Sequence, residues 1–154
     1  MSSTSNQPPG GLSDDDRRAV ETMYQAFGEG NPQLLDGILA PDWEDIPLPP
    51  GQQPGPEGIK AVVQGFGDTF PDAKFTVHDI IGSSGRAAVR AEITGTHTRE
   101  FFGVAPSQRR FVVPVHDFHR IENGQLTHTW HLEDWFGWLN QVGGWPPADK
   151  ENGQ

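Results

Sequence analysis

Residues 111–143, FVVPVHDFHRIENGQLTHTWHLEDWFGWLNQVG, read as a strand, a tight turn, a return strand and a short aromatic helix. Positions 111–122 mix β-branched and aromatic residues with polar ones. The turn is Glu122-Asn123-Gly124-Gln125, positions 125–132 return, and Asp134 opens the helix. Two registers fit this turn. A two-residue Asn123-Gly124 loop points Asp117 and His131 to opposite faces. A type I turn at Glu122-Asn123, with Gly124 left-handed as a bulge, sets Asp117 opposite Thr129 and makes His131 its diagonal neighbour on the same face. Side chains alternate along a strand, so a slip of one residue changes which polar groups share a face.

Upstream, helices come first. Ser13 with Asp16 three residues on is close to a capping box, and Asp14, Asp15 and Asp16 suit a helix N-terminus. Val20, Met23, Tyr24 and Phe27 follow as one apolar stripe, and Gly28 and Gly30 end the helix. Asn31-Pro32 starts a short second helix carrying Leu34, Leu35, Ile38 and Leu39. The proline-rich stretch 41–55 cannot be regular helix; a short strand is expected over 43–46, then a rim loop. Pro56-Glu57-Gly58 opens a third helix with Ile59, Val62, Val63, Phe66 and Phe70 on its buried face. Gly65 and Gly67 inside it imply a close packing neighbour. Strands are expected over 74–82 and 86–98, with a loop at 101–107 before the central hairpin. Helices followed by a run of antiparallel strands make an α+β pattern, with one curved sheet enclosing a pocket against a helical layer.

The chain has 154 residues, enough for one domain with a core, and no cysteine. A formal net charge of −10 disfavours nucleic acid. No apolar run is long enough to span a bilayer, and the first residues, MSSTSNQPPGG, lack the basic and apolar regions of a signal peptide. A soluble, cytoplasmic protein is expected, with residues 1–12 a disordered tail, 13–143 the domain and 144–154 a second tail.

An ordered set of short motifs resembles the SnoaL-like polyketide cyclase family of the nuclear transport factor 2-like superfamily. Tyr24-Gln25-Ala26-Phe27, Pro41-Asp42-Trp43, Gly55-Pro56-Glu57-Gly58-Ile59 and Phe70-Pro71-Asp72 come first. Gly95-Thr96-His97-Thr98, Phe102-Gly103, Arg120-Ile121-Glu122-Asn123-Gly124, His128-Thr129-Trp130, Asp134, Gly137 and Gln141-Val142-Gly143 complete it. The resemblance implies an α+β barrel-like cone, a curved mixed sheet wrapped around three to four helices with a deep apolar cavity. It implies a homodimer or higher homo-oligomer through the outer sheet face. It also implies ring closure of a hydrophobic polyketide-like substrate by intramolecular aldol condensation, without metal or organic cofactor. In the family an aspartate on the last strand is the acid/base and a histidine on the preceding strand assists. Here those positions fall on His131 and Asp117, so the two residue types are exchanged. The resemblance favours the bulged register.

An imidazole beside a carboxylate suits proton abstraction near neutral pH, which makes His131 the expected base and Asp117 its orienting partner. Donors to a developing enolate would be His119, Tyr24 and His97. Tyr24, Phe27, Trp43, Asp45, Phe66 and His97 are the expected substrate contacts. Against these stand plainer readings: a structural Asp117–His131 pair, a rim or structural His97, His116 and His128 on the outer face, and Asp134 as a helix cap. No HxH or HExxH spacing occurs, and His116/His119 and His128/His131 are three apart, so no metal site is expected. A dehydratase or isomerase using the same pair, or a non-catalytic small-molecule binding protein, are the alternatives. Epoxide hydrolysis in this superfamily pairs two aspartates with a pocket arginine; only Arg90, in mid-strand, invites that question.

Overall fold

The computed structural model describes residues 11–148. Helix α1, Asp14–Glu29, begins at Ser13, whose hydroxyl accepts from Asp16 N–H at 3.1 Å, and ends at Gly30 in the left-handed conformation. Its inward face carries Ala19, Val20, Met23, Tyr24 and Ala26. A single 3₁₀ turn, Pro32–Leu35, stands where a second helix was expected. Leu39 belongs to the following strand, β1, which spans Leu39–Ile46 and starts earlier than expected. Helix α2 spans Gly55–Thr69 and buries Gly58, Ile59, Val63 and Phe66. The close approach anticipated within it occurs at Gly67, where a Cβ would lie 3.2 Å from the Gly30 Cα.

Strands β2 (Lys74–Ser83), β3 (Arg86–Thr96), β4 (Arg110–Glu122) and β5 (Gln125–Glu133) follow, then helix α3, Trp135–Gln141. The sheet order is β1-β5-β4-β3-β2, with β1 parallel to β5 and the other pairs antiparallel. It is a curved mixed sheet that does not close, so the barrel-like cone is open between edge strands β1 and β2. Pro41 is tolerated in β1 because that strand is an edge. Burial on β4 alternates without a break, with 111, 113, 115, 117, 119 and 121 inward. Phe70, Phe111 and Trp138 pack edge-to-face at the α3 end of the core.

The hairpin register differs from both expectations. Asn123 and Gly124 both have positive φ, so the turn is the two-residue type I′ loop. Glu122 then pairs Gln125 and Ile121 pairs Leu126, but Arg120 pairs His128. Thr127 is the extra residue, a bulge on β5. It shifts the phase by one, so His119 lies opposite Thr129 and Asp117 directly opposite His131. The two residues share the inner face although the turn alone would have separated them.

The expected N-terminal tail falls mostly on residues outside those described, but Leu12, the last residue assigned to it, is buried in the core. Of the C-terminal tail, residues 149–154 lie outside the described residues; Trp145 packs on Phe136. Among the described residues, no helix is long and apolar enough to cross a membrane.

Candidate active site

A cavity of about 660 Å³ lies between the inner face of the sheet and helices α1 and α2. Met23, Phe27, Ile59, Val62, Phe66, Phe101 and Trp135 form its apolar walls, and the exposed Pro50, Gly51 and Phe102 mark its mouth. Gly65 faces it with open space where a Cβ would stand. The floor is polar. β4 contributes Asp117, β5 contributes Thr129, His131 and Glu133 at successive inward positions, β1 contributes Asp45 and α1 contributes Tyr24.

Asp117 is 6% exposed. Its Oδ2 accepts from the Tyr24 hydroxyl at 2.7 Å, and its Oδ1 accepts from Leu132 N–H at 3.3 Å. Burial pushes the carboxyl up to about 6; the Tyr24 bond pulls it down, and the neighbouring Glu133 adds to the rise. Tyr24 is held well above the ordinary phenol range by burial and by the Asp117 charge.

His131 has different partners from the one expected. Its Nδ1 lies 3.0 Å from Glu133 Oε1, and its Nε2 lies 2.8 Å from the Pro47 carbonyl oxygen and 3.4 Å from Asp45 Oδ1. Carboxylate and carbonyl oxygens only accept, so both ring nitrogens carry protons and the ring is an imidazolium. The Glu133 hydrogen bond leads in raising its pKa to about 9, against burial. The partner expected for His131 is therefore corrected: Glu133 and the Pro47 carbonyl, rather than Asp117, orient the ring. Gln52 Nε2 donates to Asp45 Oδ2 at 2.7 Å, tying the rim loop to this cluster, and burial raises the Asp45 pKa.

His119 is 2% exposed and stands behind the floor rather than on it. Its Nε2 lies 2.8 Å from the Tyr24 hydroxyl and its Nδ1 2.9 Å from Thr129 Oγ1. Burial depresses its pKa to about 4, so the ring is neutral. Trp43, expected against substrate, is 1% exposed and donates its indole N–H to Thr129 Oγ1 at 3.1 Å, behind the same wall.

His97 is also outside the cavity. It is fully buried, its Nδ1 accepts from Ser107 N–H at 3.2 Å, and its ring meets Trp138 edge-on with centroids 4.9 Å apart. An accepting Nδ1 puts the proton on Nε2, which has no hydrogen-bond partner among the described residues. Of the expected substrate contacts, Tyr24, Phe27, Asp45 and Phe66 line the cavity. Asp134 caps α3, accepting from Gly137 N–H at 2.8 Å. Arg90 pairs with Asp79 at 2.7 Å on the half-exposed outer face, and among the described residues no arginine lines the cavity. Thr129 and Glu133 join the site without a motif of their own; their spacing from His131, two residues to either side on a strand, is the signal that points to them.

The chain matches a known family. The model of the SnoaL-like polyketide cyclase family matches residues 17–142. TsrD from Streptomyces laurentii superposes with a TM-score of 0.78 at 28% identity, over 86% of this chain and 98% of that one. IdmH from Streptomyces antibioticus, a proposed polyketide cyclase, gives 0.74 at 31% identity, over 83% and 98%. AclR from Streptomyces galilaeus, a proposed hydroxylase, shares the fold at 0.72 and 21% identity, over 86% and 98%. No curated protein matches the chain. The match runs from the first turn of α1 to the end of α3 and takes in every element that builds the cavity; the chain belongs to the SnoaL-like polyketide cyclase family.

Proposed function

We propose that the protein closes a ring in a hydrophobic, polyketide-like ketone by intramolecular aldol condensation, with Asp117 as the acid/base group. The observation that carries this reading is a nearly buried carboxylate on the floor of an apolar cavity, with its pKa pushed up to about 6. A base for a proton α to a carbonyl works best with a pKa near the operating pH. Asp117 takes that proton, and the enolate carbon forms the new C–C bond to a second carbonyl of the same molecule. The resulting alkoxide recovers the proton from the Asp117 carboxylic acid. Tyr24 steadies the carboxylate form, and the His131 imidazolium sets positive charge beside the developing oxyanion. Relative to the sequence expectation, base and partner exchange roles. No cofactor enters this sequence of steps. The reading also takes the outer sheet face, where Ile81, Phe118 and Leu132 are exposed, as the contact between two copies.

Proton abstraction can be measured without the natural substrate. In D₂O, the wild type should accelerate α-deuteration of 2-tetralone, followed by ¹H NMR, and Asp117→Asn should lose that acceleration while still binding the ketone. Equal exchange in both proteins would remove Asp117 as the base. Binding with no accelerated exchange in the wild type would favour a non-catalytic binding module.

A further inference from the structure

We propose that Trp43, Thr129 and His119 are positioning residues, acting through Tyr24, that fix the direction of a hydrogen-bond chain so that it ends as a donor on Asp117. The inference rests on the reading of Asp117 as the acid/base group.

The chain runs from Trp43 Nε1 to Thr129 Oγ1 at 3.1 Å, to His119 Nδ1 at 2.9 Å, from Nε2 to the Tyr24 hydroxyl at 2.8 Å, and to Asp117 Oδ2 at 2.7 Å. Its ends are unlike. An indole N–H only donates, and an ionised carboxylate only accepts. Between them Thr129, His119 and Tyr24 each have one proton to give, because burial keeps His119 neutral. One assignment uses every proton: Trp43 gives to Thr129, Thr129 to His119 Nδ1, His119 Nε2–H to Tyr24, and Tyr24 to Asp117. In the reverse assignment, Thr129 Oγ1 would receive N–H groups from both Trp43 and His119. Its own proton would then have no partner in the chain, at a side chain 2% exposed. His119 is therefore the Nε2–H tautomer.

The consequence concerns the fate of the abstracted proton. Moving it from Asp117 into the chain would require the reversal that strands the Thr129 hydroxyl. It stays on Asp117, facing the cavity, where the product alkoxide can recover it. Bonds aligned head to tail also polarise one another, so each upstream donor strengthens the Tyr24 bond that stabilises the carboxylate. The other groups facing Asp117 are His131 and Glu133 from β5, Asp45 from β1 beyond His131, and Glu57 at the α2 side of the cavity.

The test needs no substrate. Histidine ¹⁵N shifts report the His119 tautomer, and the Asp117 ¹³Cγ shift reports its titration. Wild type should show neutral His119 with the proton on Nε2 from pH 5.5 to 8. Thr129→Val should raise the Asp117 midpoint by about half a pH unit or more, Trp43→Phe by less, and Thr129→Ser should restore the wild-type midpoint. A residue that only packs would not move a midpoint or be rescued by serine. An Nδ1–H tautomer in the wild type, or one midpoint in all four proteins, would overturn the inference. If the tautomer and midpoints follow this order but no ketone exchange occurs, the chain stands and the catalytic reading falls.

Discussion

Asp117→Asn should stabilise the fold at neutral pH while removing activity. Burial lifts Asp117 from the ordinary 3.8 to about 6. At about 1.4 kcal/mol per unit, ionising it in the folded state costs roughly 3 kcal/mol relative to ionising it in the unfolded chain. The raised pKa means that the folded state holds the proton more tightly. Its contribution is full below about pH 4 and is lost as pH rises through about 6. Asparagine keeps an acceptor for Tyr24 but sets an amide near Leu132 N–H, so part of the gain is forfeited. A net ~1–2 kcal/mol remains, about 3–8 °C in Tm for a chain of this size. The wild-type stability curve alone would not reveal it. His119, depressed by burial from 6.5 to about 4, titrates in the opposite sense over nearly the same window. Only the difference between wild type and variant isolates Asp117, so thermal melts of both are needed at pH 8 and pH 4. The variant should be the more stable at pH 8, and the gap should close or reverse at pH 4. A variant no more stable at pH 8, or a gap independent of pH, would refute the argument.

Tyr24→Phe removes the donor that holds the Asp117 carboxyl down, so the Asp117 midpoint should rise above about 6 and the fold should lose ~2–3 kcal/mol, read by ¹³C titration and urea unfolding. His131 is raised from 6.5 to about 9, so its contribution is full below pH 6.5 and lost as pH rises through about 9; His131→Gln should destabilise by ~1–2 kcal/mol at pH 6, narrowing by pH 10. Among the described residues, the cavity floor sets the carboxyl groups of Asp45, Asp117 and Glu133 against the one cation His131. Methyl 2-naphthylacetate should therefore bind about tenfold more tightly than the free acid at pH 8, with the difference shrinking at pH 4.5, as calorimetry would show. Gly65→Ala meets nothing within 4 Å and replaces a poor helix former, so it should add ~1 kcal/mol of stability while weakening the binding of large ketones.

The helices, the hairpin and the sheet were legible because their signals are local. The Val20–Phe27 spacing is helical, 111–121 alternates, and Ser13 and Asp134 cap where their chemistry says they should. Asn123-Gly124 even specifies its turn correctly. What the sequence did not show was the bulge. Gln125-Leu126-Thr127-His128 contains no glycine or proline, and threonine is as content in a regular strand as in a bulge. One unmarked residue therefore decided which face His131 takes. Its partners were hidden for another reason. Asp45 and Pro47 come from a parallel edge strand and its loop, more than eighty residues away, and parallel pairing leaves no turn in the sequence to read. His97 shows the converse: a histidine in a Gly-Thr-His-Thr segment looks available, and packing turns it into the aromatic core.

The inner face of β4 runs Phe111, Val113, Val115, then Asp117 and His119, then Ile121. An apolar pair at 117 and 119 would continue the pattern and avoid burying a carboxylate and an imidazole. The polar interruption is confined to one level of the sheet. It meets Thr129, His131 and Glu133 on β5 only because Thr127 re-phases that strand, and Tyr24 reaches it from the helical layer with a hydrogen bond to Asp117. On the opposite wall, Gly65 leaves open the space a larger residue would fill. Both departures lower stability where they occur, and both face the same cavity. Two substitutions on β4 would restore the apolar pattern and one would fill the space at Gly65, so a fold selected only for packing would keep neither; the two departures are therefore read together, and the proposal that a mostly apolar molecule meets Asp117 here draws on both.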